Sequence, residues 1–396
     1  MKNVFSHLIK GVVALVLLLS GCVDEYELPK DIGQSYQSEV VIEGRILSGE
    51  ESVFYVTRTL PLSSSGMQED IVTNAQVRII GENGYSSELA ENIEDAKYVV
   101  NAGVLSSETN YAVEVKVGNE VYRSGFQPLL DTSDISELTW KEAPGKVSVY
   151  VSTEEGGQEQ KYFMWSYEED WQFHAWKNMN DFSYGVPVYS EEKYPDFVLG
   201  KSNPYYWCFG SASSGTILIY STEGLKDNKV VNHELLSYDA TNIKVSSLYS
   251  ILVKQWGLTQ EAYDYYRLMK LYTEESDGLF TPMPSDVRGN VKCISDETKG
   301  VRGYVIASTV KEKRMFIDAE QYKVNTPGVL KGFYSTDQTS DTWMIMWAGW
   351  ISIGYVAFAQ DGTLGNSDII YAPDCVNCML QSGATNERPS FWPENR

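Results

Sequence analysis

Catalysis needs a nucleophile, an acid–base pair or a bound metal, and this 396-residue sequence offers few of each. Its three histidines are His7, His174 and His233, too few for a three-histidine metal centre once His7 is assigned to a leader. His233-Glu234-Leu235-Leu236-Ser237 opens like the zinc-protease motif His-Glu-x-x-His. A serine stands where the second ligand belongs, and the segment reads as a strand or loop. No Gly-x-Ser-x-Gly elbow presents a nucleophilic serine. Glu168-Glu169-Asp170, beside Trp171 and Trp176, could flank a sugar as acid and partner base. Neighbouring strand residues face opposite ways, however, and a solvated acidic edge is the competing reading. Residues 361–368 carry oxygen ligands without the spacing or terminal glutamate of a calcium loop, and read as a turn. The sequence also lacks a phosphate-cradling glycine motif, and it assigns no catalytic residue, no metal and no cofactor.

What remains is binding and covalent modification. Residues 162–209 are far richer in rings than the 13% aromatic content of the whole chain. Trp171, Phe173, Trp176, Tyr184, Tyr189 and Tyr194 lie there among the turn formers Asn178, Asn180, Gly185 and Pro187. Rigid amphipathic rings gain contact area at low entropic cost, which makes these six the candidate contacts for a ligand or partner. Packing into a small core of their own is the alternative. Cys208, Cys293, Cys375 and Cys378 form an even set downstream of Cys22, and an even set in an exported chain favours two disulfides. Three pairings exist, and the one expected ties Cys208 and Cys293 to the two tail cysteines, pinning the tail. A four-thiolate zinc site is the competing chemistry.

Export is read from the first residues, MKNVFSHLIKGVVALVLLLSGC. Lys2 and Lys10 form a positive start, residues 12–19 an uncharged run, and small residues the end, as in a secretory signal. Eight residues rise only about 12 Å as a helix against a hydrocarbon core of about 30 Å, so the run cannot span. Leu19-Ser20-Gly21-Cys22 resembles the bacterial lipobox, in which the cysteine receives diacylglycerol and acyl chains such as palmitate and becomes the mature N-terminus. The acidic stretch Val23-Asp24-Glu25-Tyr26-Glu27 resembles the surface-export signal of Bacteroidetes lipoproteins. A plain acidic linker is the other reading. A formal charge of −22 without a basic cluster repels phosphate backbones and excludes nucleic acid as a partner.

The elements expected to carry these residues are strands. Val40-Val41-Ile42-Glu43-Gly44-Arg45-Ile46, Val53-Phe54-Tyr55-Val56, Ala75-Gln76-Val77-Arg78-Ile79-Ile80 and Tyr111-Ala112-Val113-Glu114-Val115-Lys116-Val117 alternate at period two between turn residues. Leu105 and Thr109 precede Tyr111 at the spacing of a tyrosine corner, and Gly118-Asn119 fits a hairpin turn. The chain is therefore expected to be mainly β. Residues 1–21 form the signal and 22–37 a lipidated tether; 38–130 form an Ig-like or prealbumin-like sandwich. Residues 131–396 form a larger β-sandwich-like region, with a helical and aromatic insertion at about 168–285. A strand over 245–253 leads to a helix capped by Thr259, with Ala262, Tyr265, Tyr266, Met269 and Tyr272 on one face. The uncharged run at 343–359 reads as buried strands rather than a membrane span, since Gly349, Ser352 and Gly354 interrupt it.

Cys375-Val376-Asn377-Cys378 followed by Gly383, Thr385, Pro389, Ser390, Phe391 and Trp392 resembles the C-terminal signature of a Bacteroidetes lipoprotein family of unknown function. Tyr205-Tyr206-Trp207-Cys208, Leu258-Thr259-Gln260-Glu261-Ala262-Tyr263 and Phe280-Thr281-Pro282-Met283-Pro284 agree with it. Gly383-Ala384 stands where the family often has Gly-Gly. The resemblance implies a lipoprotein accompanying a TonB-dependent outer-membrane receptor. The expected role is a surface-exposed, outer-membrane, non-enzymatic accessory in nutrient recognition or uptake. An independent glycan-binding surface protein is the alternative, and a secreted hydrolase using the carboxylates near Glu168 the third reading.

Overall fold

The computed structural model describes residues 38–60, 70–94, 96–157, 160–175, 186–188, 192–193, 204–273, 287–321, 333–335, 356–359, 369–371, 373 and 377–394. Among these the protein is mainly β, with one α-helix. The chain first lays down β1 (Val40–Leu47), β2 (Glu51–Arg58), β3 (Asp70–Ile71), β4 (Gln76–Gly81), β5 (Glu91–Glu94), β6 (Lys97–Asn101), β7 (Asn110–Val117), β8 (Glu120–Ser124) and β9 (Gln127–Pro128). Alternation sorts each strand into an inner and an outer face: in β4, Val77 and Ile79 are buried while Gln76 and Arg78 are exposed. One sheet is built on β1, β2, β6 and β5, the other on β8, β7 and β4. Ile42, Phe54, Val56, Val77, Ile79, Val113 and Val115 meet between them, all fully buried. Each such side chain contributes about 1.5–3 kcal/mol. Gly118 takes φ +61° in the two-residue turn between β7 and β8, where Val117 faces Glu120. The Tyr111 hydroxyl accepts the Ser106 N–H at 2.9 Å, the tyrosine corner that the spacing predicts.

Next come β10 (Ile135–Ala143), β11 (Lys146–Thr153), β12 (Tyr162–His174), β13 (Val186–Val188), β14 (Trp207–Ser213), β15 (Leu218–Ser221), β16 (His233–Asp239) and β17 (Leu248–Leu258), which apart from β13 build a second sandwich, then helix α1 (Gln260–Thr273). Most of the segment expected as an insertion is framework, because β12, β14, β16 and β17 are all ladder strands of this sandwich. Thr259 Oγ1 accepts the Ala262 N–H at 3.2 Å and starts α1 where the sequence places it. The preceding strand runs on to Leu258, while Val245 lies in a short 3₁₀ turn instead.

Four more strands change the expected boundary. After α1 come β18 (Val291–Cys293), β19 (Val301–Arg302) and β20 (Val305–Ser308), then β21 (Val310–Asp318). β19 and β20 run parallel to β1, and β18 pairs with β8. The first sandwich is therefore not confined to 38–130, since residues 291–308 complete both of its sheets. β21 goes to the second sandwich, whose large sheet has the order β14-β12-β17-β21 and packs its inner face on β10-β11-β16. Finally β22 (Phe333–Ser335), β23 (Val356–Ala359) and β24 (Ile369–Tyr371) join β13 in a small sheet. The last residues of the uncharged run, 356–359, thus form a strand, as expected. Its remainder and residues 361–368 lie outside the described residues.

The two sandwiches are joined by contact, not by a loose linker. Leu47, Tyr304 and Ile306 of the first pack with Tyr162, Met164, Trp256 and Leu258 of the second, and Ala262 and Tyr265 of α1 wedge between. The joint at 131–134 is also held by side chains: Gln160 Nε2 donates to Thr132 Oγ1 at 2.7 Å, and Gln255 Nε2 to the Ser133 carbonyl at 2.6 Å. Tyr111→Phe, which strands the Ser106 N–H, is expected to lower stability by about 1 kcal/mol in urea titration, leaving the far-ultraviolet spectrum unchanged.

Candidate functional site

The long strand β12 distributes the three acidic residues Glu168, Glu169 and Asp170 by alternation. Glu169 faces the interior and is 2% exposed. Its Oε1 accepts the hydroxyls of Tyr238 and Tyr249, both at 2.6 Å, and its Oε2 accepts Lys244 Nζ at 2.6 Å. Lys244 also lies 4.9 Å from the ring centre of Trp171. Burial, together with the Glu169 carboxylate, pushes both phenols well above their ordinary value. The other two acids face outward. Glu168 pairs with Lys254 at 2.8 Å, and Asp170 accepts from Arg314 at 3.4 Å. Burial raises the Asp170 carboxyl against the opposing pull of Arg314.

The acidic-edge reading therefore fails for Glu169, which is buried rather than solvated. All three carboxylates are tied to cations, and two of them point away from the third. His233 is on β16, tilted against Trp165 and Tyr220 at 5.4 and 4.8 Å between ring centres. Burial, and then Lys270, lower its pKa.

Of the six aromatic candidates, the structure describes two. Phe173 is a core residue, 2% exposed and packed on Cys208 and Cys378, so it is unsuited to contact a ligand. Trp171 lies flat over Gly210, where a Cβ would enter the indole ring. Trp176, Tyr184, Tyr189 and Tyr194 lie outside the described residues, as does Cys22. Cys208 and Cys378 are bridged. Cys293 is not: it sits on β18 in the first core, buried and free, with Sγ 3.4 Å from Ser295 Oγ. The expected bridge from Cys293 is thus corrected, because its strand belongs to the other sandwich. Cys375 lies outside the described residues. Among those described, no cluster of three His, Cys, Asp or Glu side chains could hold a metal.

The bridge is one of three clamps around the edge strand β14. Cys378 holds it on the inner face. Thr385 exchanges backbone hydrogen bonds with Phe209 along the edge itself, at 2.7 and 2.9 Å. Trp392, 4% exposed, stands edge-on against Phe209 and Phe316 on the outer face, with ring centres 5.3 and 5.7 Å away. Cys378, Thr385 and Trp392 belong to the tail signature, and the tail covers an edge that would otherwise offer unpaired groups.

Beside this clamp four strands end together. In the antiparallel sheet, His174 faces Trp207, Gln172 faces Phe209, and Leu248 faces Asp318. These ends line a cleft of about 660 Å³, with Ser246, Ser247 and Glu320 at its floor and rim and Arg388 arriving from the tail. Trp207 is 44% exposed, whereas Gln172 and Asp318 are each 8% exposed. Sequence reasoning missed every residue of this cleft as a site; the Trp207-Cys208 pair was its only trace. His174 Nδ1 lies 2.7 Å from the Ala175 carbonyl, which makes that nitrogen the donor and turns Nε2 the other way.

A family model described as a domain of unknown function, DUF4249, matches residues 25–314. The match begins just after Cys22 and stops before the tail signature. No curated protein matches the chain.

Because the folded state keeps the Tyr238 and Tyr249 phenols protonated while the unfolded chain releases them, stability is expected to be full below about pH 10 and to fall as pH rises further. Urea midpoints measured across that range check this, and Tyr249→Phe should flatten the fall.

Proposed function

The chain belongs to the DUF4249 family, and from that premise we propose that it is a surface-exposed outer-membrane lipoprotein, a non-enzymatic accessory of a TonB-dependent receptor in nutrient recognition or uptake. The observation carrying this reading is the pairing of Leu19-Ser20-Gly21-Cys22 with the Cys208–Cys378 bridge. A lipidation sequence and an oxidised cystine both belong to an exported chain. Acyl chains on Cys22 hold the protein durably, since each buried methylene adds about 0.8 kcal/mol and more than one chain is attached. The tether at 23–37 then gives the sandwiches reach toward a barrel in the same membrane. Partnership with a receptor rests on the resemblance alone. The non-enzymatic part rests on the carboxylates of β12, each of which is committed to a cation.

Labelled palmitate supplied to growing cells is expected to mark the wild-type protein and to leave Cys22→Ser unmarked and soluble. Purification of the wild type in mild detergent is expected to bring a β-barrel receptor with it. Labelled Cys22→Ser, or a wild-type protein recovered alone, would sink the anchor or the partnership respectively.

A further inference from the structure

We propose that the buried Glu169–Lys244 pair is a site of self-catalysed covalent modification: an amide bond between Lys244 Nζ and the Glu169 side-chain carbonyl carbon, formed with loss of one water. The proposal goes beyond the lipoprotein reading and needs neither the anchor nor the receptor, since every reacting group belongs to the second sandwich.

The reactants are already in contact. Nζ lies 2.6 Å from Glu169 Oε2. Glu169 is 2% exposed, and Lys244, its side chain 21% exposed, reaches it from the short 3₁₀ turn Ile243–Val245. The rings of Trp171 and Tyr238 flank the amine, with centres 4.9 and 5.0 Å from Nζ. Well-oriented groups in one molecule react as though present at up to roughly 10⁵–10⁸ M.

The surroundings supply the rest of the chemistry. Charges are costly in a dry interior, and the pair sheds them when a proton passes from Nζ to Oε2, leaving a free amine beside a carboxylic acid. The amine lone pair then attacks Cδ; a C–N bond forms and the carbonyl electron pair moves onto Oε1. That oxygen already accepts the hydroxyls of Tyr238 and Tyr249, both at 2.6 Å, which makes the two phenols an oxyanion hole. Burial keeps both phenols protonated and able to donate. Collapse of the intermediate expels Oε2 as water with two of the three ammonium protons, and the third stays on the amide nitrogen. Nothing is oxidised, and no co-reactant is needed.

Other lysine–carboxylate contacts lack this setting. Glu168 is 50% exposed beside Lys254, and Lys299 is 43% exposed beside Glu120, so water solvates those charges. At Glu169 the ion pair first sets the register of β12 as the chain folds, and condensation then makes that register permanent. The bond ties β12 to the turn that enters β17, across 75 positions of sequence, and so fixes the approach to Ser246 and Ser247 in the cleft.

Tryptic digestion of the mature protein, purified from cells and reduced, tests this by peptide mass. Trypsin cuts after Lys161, Lys177, Lys229 and Lys254. The expected result is a branched product joining 162–177 to 230–254, lighter than the two together by one water and uncut at Lys244. Lys244→Arg is expected to give linear peptides only. Tyr249→Phe is expected to slow formation of the branched product about a hundredfold in pulse-labelled cells. The Cys208–Cys378 bridge, read in an unreduced digest, reports that each variant has folded. Linear peptides alone from the wild type, cleaved after Lys244, would overturn the proposal with no variant needed. So would a branched product that persists in Lys244→Arg or forms at the same rate in Tyr249→Phe. Each of those results leaves palmitate labelling and receptor co-purification untouched, so the two readings fail separately.

Discussion

The second sandwich is organised by a single constraint, the strict alternation of β12 over the thirteen residues Tyr162–His174. β12 pairs with β17 along one edge and with β15 and then β14 along the other. A register slip of one residue would turn every side chain over. Glu169 would leave Tyr238, Tyr249 and Lys244 for the outer face, and Gln172 would turn from the cleft into the core. The buried Glu169–Lys244 pair and its two phenols oppose such a slip, because an uncompensated carboxylate in that interior costs several kcal/mol. A polar cluster in the core thus specifies position as much as it adds stability.

The outer face of the same sheet is divided by distance along the strands. At one end Tyr162, Met164, Trp256 and Leu258 receive α1 and the first sandwich. In the middle Glu168, Asp170, Lys254 and Arg314 form ion pairs at the surface. At the far end Phe209, Leu248 and Phe316 receive Trp392. Apolar, charged and apolar zones follow one another because each is covered by something different: a neighbouring domain, water, and the chain's own tail. Arg314 links the last two, with its guanidinium 3.6 Å above the centre of the Phe391 ring.

Local features were legible in the sequence. The period-two strands of the first sandwich, the Gly118 turn, the Tyr111 corner and the Thr259 cap all depend on residues within a few positions of one another. Features that depend on distant register were not. Nothing local in Val291–Cys293 or Val305–Ser308 says that these strands return to β8 and β1, so Cys293 was assigned to the wrong core. The burial of Glu169 depends on Tyr238, Lys244 and Tyr249, some seventy to eighty positions downstream. The cleft is harder still, since it exists only because four strands stop level with one another. Conversely, reading Phe173 as a contact residue took aromatic content as a sign of a surface, when alternation had already turned that ring inward beside the cystine.

The return of residues 301–308 to β1 also orders events in time. Val40 pairs with Val301, and Gly44 with Val305, in parallel. During synthesis, the opening strand of the first sandwich emerges early, and its lateral partner emerges only after most strands of the second sandwich and helix α1 have followed. Throughout that interval β1 presents a bare ladder of amide and carbonyl groups, the kind of edge on which chains stick together. Closure of the first sandwich therefore waits on strands that lie far downstream in the chain.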